Sequence, residues 1–136
     1  MSALPLGAPE PNRRDARGLF GVHNENHPDE AAPNNHPKLL VYEGEPVGVV
    51  RIDIDDRVAG LRRVAICTDA QGRGHGRALL TLAQRFARDA GCTRLVSFVA
   101  PEAVAFYQTF GFAIAKERAT GPSGREAVFM AKNLDL

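Results

Sequence analysis

The stretch from Val64 to Gly76, which reads VAICTDAQGRGHG, decides the fold of this chain. Apolar residues come first, three glycines follow within five residues, and an amphipathic segment begins at Arg77. Backbone N–H groups at the start of a helix lack intrahelical acceptors, and the helix dipole favours negative charge there. Glycine lets a phosphate approach the backbone closely. The stretch therefore predicts a strand, a turn and a helix N-terminus that bind a phosphorylated ligand.

Length and charge limit the classes of protein to which this chain can belong. With 136 residues the chain is long enough for one domain with a substantial core. Its 17 lysines and arginines against 16 acidic residues give no electrostatic reason to expect nucleic acid or an anionic membrane as a partner. No apolar run approaches the roughly 20 residues of a membrane-spanning helix, and the N-terminus lacks a signal-peptide pattern. We therefore expect a cytoplasmic domain.

The cysteines and histidines give little support to a disulfide framework or a metal site. Cys67 is expected in a buried strand and Cys92 at a helix end, and no Cys-x-x-Cys spacing occurs. His23 and His27 are four residues apart, but the residues between them do not form H-E-x-x-H and Pro28 follows at once. We interpret these two as loop histidines and predict no metal.

The first 37 residues carry few core signals and are predicted to be an irregular N-terminal segment. Six prolines punctuate them: Pro5, Pro9, Pro11, Pro28, Pro33 and Pro37. A short helix from about Asn12 to Leu19 is the one element predicted, because Asn12 is a suitable N-cap. Gly18 and Gly21 argue against a longer helix.

Strand patterns begin at Lys38. Three strands are predicted, at Leu39–Tyr42, Val47–Asp55 and Val58–Thr68, with turn-forming residues between them. In the second strand charged and apolar residues alternate from Val50 to Asp55, which is the period of a half-buried antiparallel strand. We expect the three strands to form an antiparallel meander.

The segment after the glycine turn predicts a helix that ends at Gly91. Its apolar stripe has spacings of three and four, at Leu79, Leu82, Ala83, Phe86, Ala87 and Ala90. Further elements follow in order: a strand at Thr93–Val99, a short helix at Pro101–Phe110, and strands at Phe112–Ala115 and Ala127–Ala131. A strand–helix–strand unit normally joins parallel strands by a right-handed crossover, so the fold class is α+β with a mixed sheet.

Two segments resemble the hallmarks of the GCN5-related N-acetyltransferase (GNAT) family. Gln71-Gly72-Arg73-Gly74-His75-Gly76 fits the family signature R/Q-x-x-G-x-G/A, and Phe106–Phe112 is similar to its tyrosine-bearing helix, which leads through Gly-Phe into a strand. The resemblance covers roughly Leu39 to the C-terminus. It implies an acyl-CoA N-acyltransferase-like fold, in which central strands of the mixed sheet splay apart.

The same resemblance divides the chain into a GNAT core at residues 38–136 and an N-terminal segment at residues 1–37. In relatives the N-terminal region shapes the acceptor pocket. Two alternatives stay open for this chain: a shortened acceptor-side lobe, or a homodimer in which a partner subunit completes the wall.

Other phosphate-binding motifs do not fit these glycines. A G-x-G-x-x-G that starts at Gly72 requires glycine where Arg77 stands, and one that starts at Gly74 requires it where Leu79 stands. The G-K-S/T of a P-loop is absent. A turn that only connects strand to helix stays the plain alternative, although three glycines in five residues exceed what such a turn requires.

By resemblance the ligand is acetyl-CoA, the acetyl donor. The turn and the first helical residue would bind its pyrophosphate: Gln71, Gly72, Arg73, Gly74, His75, Gly76 and Arg77. The end of the preceding strand would hydrogen-bond the pantetheine arm, with Ile66 and Cys67 nearest the acetyl group and Thr68 beside them.

The implied reaction is attack of an amine on the thioester carbonyl. An amine with a pKa of about 10.4 is almost fully protonated at pH 7, so the site must supply a base or depress that pKa. Tyr107 aligns with the family's general acid for the departing thiolate. The base stays open among Glu43, Asp53, Asp55 and a water relay. Acetylation of Cys67 as a nucleophile is a further alternative.

Two positions depart from the family pattern. Thr68 replaces a common proline, and Ala100 replaces an asparagine that contacts CoA in many relatives.

The acceptor is expected to be a small-molecule or peptide amine. The competing functions are a non-catalytic acetyl-CoA sensor, against which Tyr107 argues, and a partner protein that retained the fold without its ligand, against which the glycine turn argues.

Overall fold

The computed structural model describes residues 17–21, 34–121 and 124–134 of the chain. These residues form a seven-stranded sheet in the order β1-β2-β3-β4-β5-β7-β6, with two α-helices. The elements are β1 (Arg17–Gly21), β2 (Asn35–Tyr42), β3 (Glu45–Asp55), β4 (Val58–Ile66), α1 (His75–Asp89), β5 (Arg94–Val99), α2 (Val104–Thr109), β6 (Ala113–Thr120) and β7 (Glu126–Asn133).

The predicted topology is confirmed. Strands β2, β3 and β4 form an antiparallel meander, and α1 connects β4 to the parallel strand β5. The pairs β5–β7 and β6–β7 are antiparallel, so the sheet is mixed. The α+β class and the acyl-CoA N-acyltransferase-like arrangement of the sheet are therefore both correct.

Helix α1 provides much of the core. Leu79, Leu80, Ala83 and Ala87 of this helix are at most 1% exposed. Leu80 was outside the predicted stripe, whereas Ala90, which was inside it, is exposed. Gly91 ends the helix with φ +89°, a left-handed conformation that favours glycine.

Both helices lie against the same face of the sheet. Paired residues of neighbouring strands share a face, and the pairs His36–Ile52, Ile52–Leu61 and Leu61–Ser97 connect β2 to β5. On that face His36 contacts Phe86 of α1, with ring centroids 5.1 Å apart, and Ser97 hydrogen-bonds Tyr107 of α2. We call this the helix face and the opposite one the second face.

Several element boundaries differ from prediction. Residues 17–21 are a strand paired with β2, so the predicted helix is wrong at Arg17 to Leu19, while residues 12–16 lie outside the described part. Strand β2 begins at Asn35, which places Pro37 inside the sheet. Both segments are strands because they pair with a neighbouring strand, and their own sequence gives little indication of that pairing.

The two segments beside the expected site also differ from prediction. Strand β4 ends at Ile66, and Thr68–Ala70 is a 3-10 turn, so Cys67 is exposed and not in a buried strand. The predicted helix at Pro101–Phe110 is divided into a 3-10 turn at Pro101–Ala103 and α2. Among the described residues, no helix combines the length and apolarity needed to cross a bilayer.

Candidate active site

Strands β4 and β5 separate at Leu61 and Ser97. Their parallel pairing runs from Val58–Arg94 to Leu61–Ser97 and then stops, although β4 continues to Ile66 and β5 to Val99. A register shift against β3 inserts an extra residue in β4, where Arg63 has φ +55°. Such a bulge bends a strand away from its neighbour. The predicted splay is thus present as a gap beyond Leu61, which we call the fork.

At the end of β4 the backbone N–H groups of successive residues point alternately toward β3 and toward this gap. The Cys67 N–H donates to the carbonyl of Val47 in β3 at 2.8 Å, so this donor is already engaged. Because adjacent residues of a strand direct their backbone groups to opposite sides, the N–H of Ile66 points away from β3, toward the gap. Of the two residues predicted nearest the acetyl group, Ile66 has the suitable backbone orientation.

The glycine turn joins β4 to α1 by way of the 3-10 turn. Gly72 has φ +81° and Gly74 has φ +80°, conformations that other residues rarely adopt. Gly74 is the N-cap of α1, and among the described residues no side chain caps the helix. The predicted turn therefore presents a row of backbone donors at a helix start.

The chemistry of this donor set fits a pyrophosphate. The first turn of α1 contains no acidic residue, and the side chain of Arg73 is exposed beside it. A Cβ at Gly72 would meet no atom within 4 Å, which shows open space above the turn. The side-chain amide of Gln71 donates to the carbonyl of Ile66 at 3.3 Å and connects the turn to the end of β4. A helix N-terminus of this kind stabilises a bound anion.

His75, the first residue of α1, is 2% exposed. Burial and the charges of Arg17 and Arg73 lower the pKa of His75 below its ordinary value of 6.5, which favours the neutral ring. The Nδ1 atom of that ring accepts a hydrogen bond of 2.9 Å from Nε of Arg17. Sequence reasoning assigned no role to Arg17, because it lies 58 residues from His75 in a segment with few core signals.

Tyr107 lies at the fork. It is 7% exposed and is held by Phe112, with ring centroids 5.2 Å apart, and by Phe106 at 5.9 Å. Burial raises the pKa of Tyr107, and the hydrogen bond with Ser97 opposes that rise. The phenol is therefore protonated at neutral pH and able to donate a proton.

Helix α2 forms the wall next to the glycine turn. A Cβ at Gly76 would lie 3.4 Å from Cζ of Phe106, so α1 and α2 approach closely at this point. Phe106 is 41% exposed and offers an apolar surface beside the gap. The guanidinium of Arg77 lies 5.7 Å from the ring centroid of Phe110, toward the end of α2. The turn and the tyrosine helix thus border one cleft.

The three carboxylates considered as bases lie in different surroundings. Glu43 and Asp55 are exposed. Asp53 lies on the second face, where its Oδ1 accepts from Nε of Arg51 at 2.8 Å and its Oδ2 accepts from Nε of Arg62 at 2.9 Å. Both oxygens of Asp53 are therefore occupied, which makes it a poor candidate for accepting a proton from an amine.

The sequence-predicted residues lie on consecutive elements around the fork. Ile66 ends β4, the turn from Gln71 to Arg77 leads into α1, and Tyr107 lies on α2. Cys67 and Thr68 are exposed at the junction. Within the described residues no cluster of His, Cys, Asp and Glu is suited to a metal ion, and His23 and His27 lie outside them.

A mixed sheet with a fork beside a glycine turn and a helix N-terminus defines an acyl-CoA N-acyltransferase-like fold. A sequence model of the Acetyltransferase (GNAT) family matches residues 8–112, which is more than half of the chain. The chain therefore belongs to the GNAT family. The match begins well before Leu39, so it includes the segment that holds β1.

Individual relatives agree with this assignment. Over 86 residues the chain is 27% identical to "Uncharacterized N-acetyltransferase YjcF" of Bacillus subtilis (strain 168); the match covers 62% of this chain and 61% of that protein. An acetyltransferase from Thermus thermophilus superposes with a TM-score of 0.70 at 25% identity, over 88% of this chain and 97% of that one. The ribosomal-protein-S18-alanine N-acetyltransferase from Escherichia coli superposes at 0.68 and 22% identity, over 92% and 85%, and shows the shared fold.

Proposed function

We propose that this protein is an N-acetyltransferase that moves an acetyl group from acetyl-CoA to a primary amine of a small molecule or peptide. One observation carries the proposal: β4 connects the fork, where Tyr107 lies, to the donors of the glycine turn. The strand from Leu61 to Ile66 spans about 16 Å at roughly 3.3 Å per residue. An extended pantetheine arm between a thioester and a pyrophosphate fits along such a strand.

Each part of the site has a proposed role. When bound, acetyl-CoA supplies the acetyl group as a thioester. The backbone N–H groups of the turn and of the first turn of α1 hold the pyrophosphate, with the charge of Arg73 beside them. The N–H of Ile66 binds the pantetheine arm, and Tyr107 donates a proton to the leaving sulfur.

The acceptor amine must lose a proton before or during its attack. Deprotonating an amine with a pKa of about 10.4 at pH 7 costs roughly 4–5 kcal/mol, since each pKa unit is worth about 1.4 kcal/mol. Because the oxygens of Asp53 are already bonded to two guanidinium groups, a water relay is the proposed proton acceptor. The helices cover one face of the sheet, so the acceptor is proposed to enter from the second face.

One observation favours a second candidate. Tyr107 is 7% exposed and surrounded by aromatic rings, as a core residue would be. A non-catalytic acetyl-CoA sensor would use the same turn and would need no proton donor at the fork. This alternative predicts binding of acetyl-CoA without any turnover.

Calorimetry and a thiol-release assay separate these functions. The full chain is titrated with CoA and acetyl-CoA, then incubated with acetyl-CoA and a panel of amines: lysine, a peptide with a free N-terminus, a polyamine and an aminoglycoside. Binding with amine-dependent thiol release supports the enzyme. Binding without release from any amine favours the sensor, and the absence of binding excludes both.

A further inference from the structure

The glycine turn is held from outside its own strand–turn–helix unit by Arg17, the first residue of β1. Nε of Arg17 donates to Nδ1 of His75 at 2.9 Å, and Nη2 donates to the carbonyl of Arg73 at 3.0 Å. These two acceptors flank Gly74, whose φ of +80° sets the course of the turn. One side chain thus fixes both neighbours of the N-cap glycine.

The register of the edge strand explains why Arg17 reaches this position. Arg17 is paired with Tyr42, so the two side chains lie next to each other on the helix face. The guanidinium carbon lies 4.8 Å from the Tyr42 ring centroid, and that ring lies 5.0 Å from the ring of His75. The Tyr42 ring supports the guanidinium from one side, while its N–H groups donate to His75 and Arg73 of the turn.

The same geometry places a positive charge at the row of backbone donors. A Cβ at Gly74 would be 4.0 Å from Nη2 of Arg17, so the guanidinium borders the open surface of the turn. A guanidinium has five N–H donors, and the contacts with His75 and Arg73 use two of them. Donors and charge remain for a phosphate oxygen, an acceptor whose geometry matches a guanidinium.

We propose that Arg17 is a positioning and binding residue for the pyrophosphate of the CoA ligand: it fixes residues 73–75 and places its guanidinium beside their donors. The inference rests on the proposed acetyl-CoA site and extends that site to the edge strand. It assigns a role in CoA binding to the N-terminal segment, for which the resemblance implies a role in shaping the acceptor pocket.

The test compares four proteins: the wild type, Arg17→Gln, Arg17→Lys and the control Arg94→Ala. Arg94 is an exposed arginine at the start of β5, the end of the sheet opposite to the turn. Calorimetry with CoA gives Kd at two salt concentrations, inorganic pyrophosphate serves as a competitor, and the steady-state rate gives kcat and KM for acetyl-CoA.

Arg17→Gln is expected to weaken CoA binding about tenfold, because a charge-assisted contact is lost. Its Kd should depend less on salt than that of the wild type, and pyrophosphate should compete more weakly. The KM for acetyl-CoA should rise with kcat nearly unchanged. Arg17→Lys keeps the charge and should fall between the two, while Arg94→Ala should match the wild type.

Distinct results would overturn the inference. If the wild type binds CoA and both Arg17 variants bind it within twofold of the wild type with the same salt dependence, Arg17 only attaches β1 to α1 and the inference is wrong. If Arg17→Gln fails to fold, the salt dependence of Arg17→Lys decides in the same way. If the wild type does not bind CoA, the proposed function fails and this inference fails with it.

Discussion

Ser97 Oγ donates a hydrogen bond of 3.4 Å to the carbonyl oxygen of Leu61, at the last pair of residues that β4 and β5 share. Ser97 is 4% exposed and also hydrogen-bonds Tyr107. The proposed proton donor is therefore attached to the point where the two strands separate. Helix α2, which carries Tyr107, is thereby connected to the sheet at the last pair of β4 and β5.

Tyr107→Phe should lower kcat roughly 100-fold, the scale of general acid catalysis, and leave the Kd for CoA nearly unchanged. The cause is loss of the phenolic proton with the ring still packed on Phe112. Stopped-flow thiol release and calorimetry measure the two quantities. Removal of the buried hydroxyl should change the free energy of unfolding by only about 1 kcal/mol.

The control for that variant is Phe106→Leu, which alters the neighbouring exposed ring and keeps the phenol. It should retain most of kcat while it weakens packing beside Gly76. An unchanged kcat in Tyr107→Phe would remove Tyr107 from the chemistry and favour a core role for it.

Gly74→Ala should weaken CoA binding, and Gly44→Ala should not. Both glycines have nearly the same left-handed conformation, φ +80° and φ +81°, so a side chain at either costs about 1–2 kcal/mol of stability. Gly44 lies in the turn between β2 and β3, with open space around it. Thermal unfolding measures the loss of stability that both variants share. Calorimetry with CoA measures the loss of binding that is expected in Gly74→Ala alone. Equal CoA affinity in the two variants would mean that the turn only connects strand to helix.

The local part of this fold could be predicted from sequence. The strand, glycine turn and helix around Val64–Gly76 depend on residues close in the chain, and the glycine spacing restricted the ligand to a few classes. Helix α1 begins two residues earlier than expected, at His75, because the first turn uses glycine residues that sequence patterns assign to the preceding turn.

The contacts made across the sheet could not be predicted in this way. Arg17 reaches His75 only through the pairing of β1 with β2, and β1 lies in a segment with few core signals. The assignment of Cys67 to a buried strand also failed. Strand β4 ends at Ile66 because a 3-10 turn follows at Thr68–Ala70, and the apolar pattern up to Cys67 does not mark where that turn begins.

Cys67→Ser should retain kcat/KM within about twofold, since direct attack of the amine on the thioester needs no protein nucleophile. Cys67 Sγ lies in an exposed position, 3.9 Å from the carbonyl of Pro46. Mass spectrometry after acetyl-CoA addition without acceptor provides a second measurement, and no acetylated cysteine is expected. A loss of roughly 100-fold or more, together with an acetyl adduct on Cys67, would instead establish the covalent route.

Acid should lower the free energy of unfolding through His75. Its pKa in the folded protein lies below the ordinary value of 6.5, because of burial first and then the charges of Arg17 from β1 and Arg73 from the turn. The unfolded chain takes up the proton first, so the stability contributed by the neutral ring is full above about pH 6.5 and is lost as pH falls toward the lowered pKa. A protonated ring would turn its Nδ1 donor toward the Arg17 donor and break their hydrogen bond. The Tyr42 ring that also faces His75 supplies no carboxylate to offset this charge.

His75→Gln isolates this effect, since an amide oxygen can accept from Arg17 and does not titrate. Denaturant unfolding from about pH 7.5 to about pH 5.5 should show the free energy of unfolding falling more steeply in the wild type than in the variant. His36→Gln is the matched histidine replacement: burial and the charge of Lys38 lower the pKa of His36 as well, but its ring contacts Phe86 and not the turn. It removes the titration of a different ring and keeps the hydrogen bond between Arg17 and His75. Parallel pH profiles of stability for the wild type and His75→Gln would contradict the prediction.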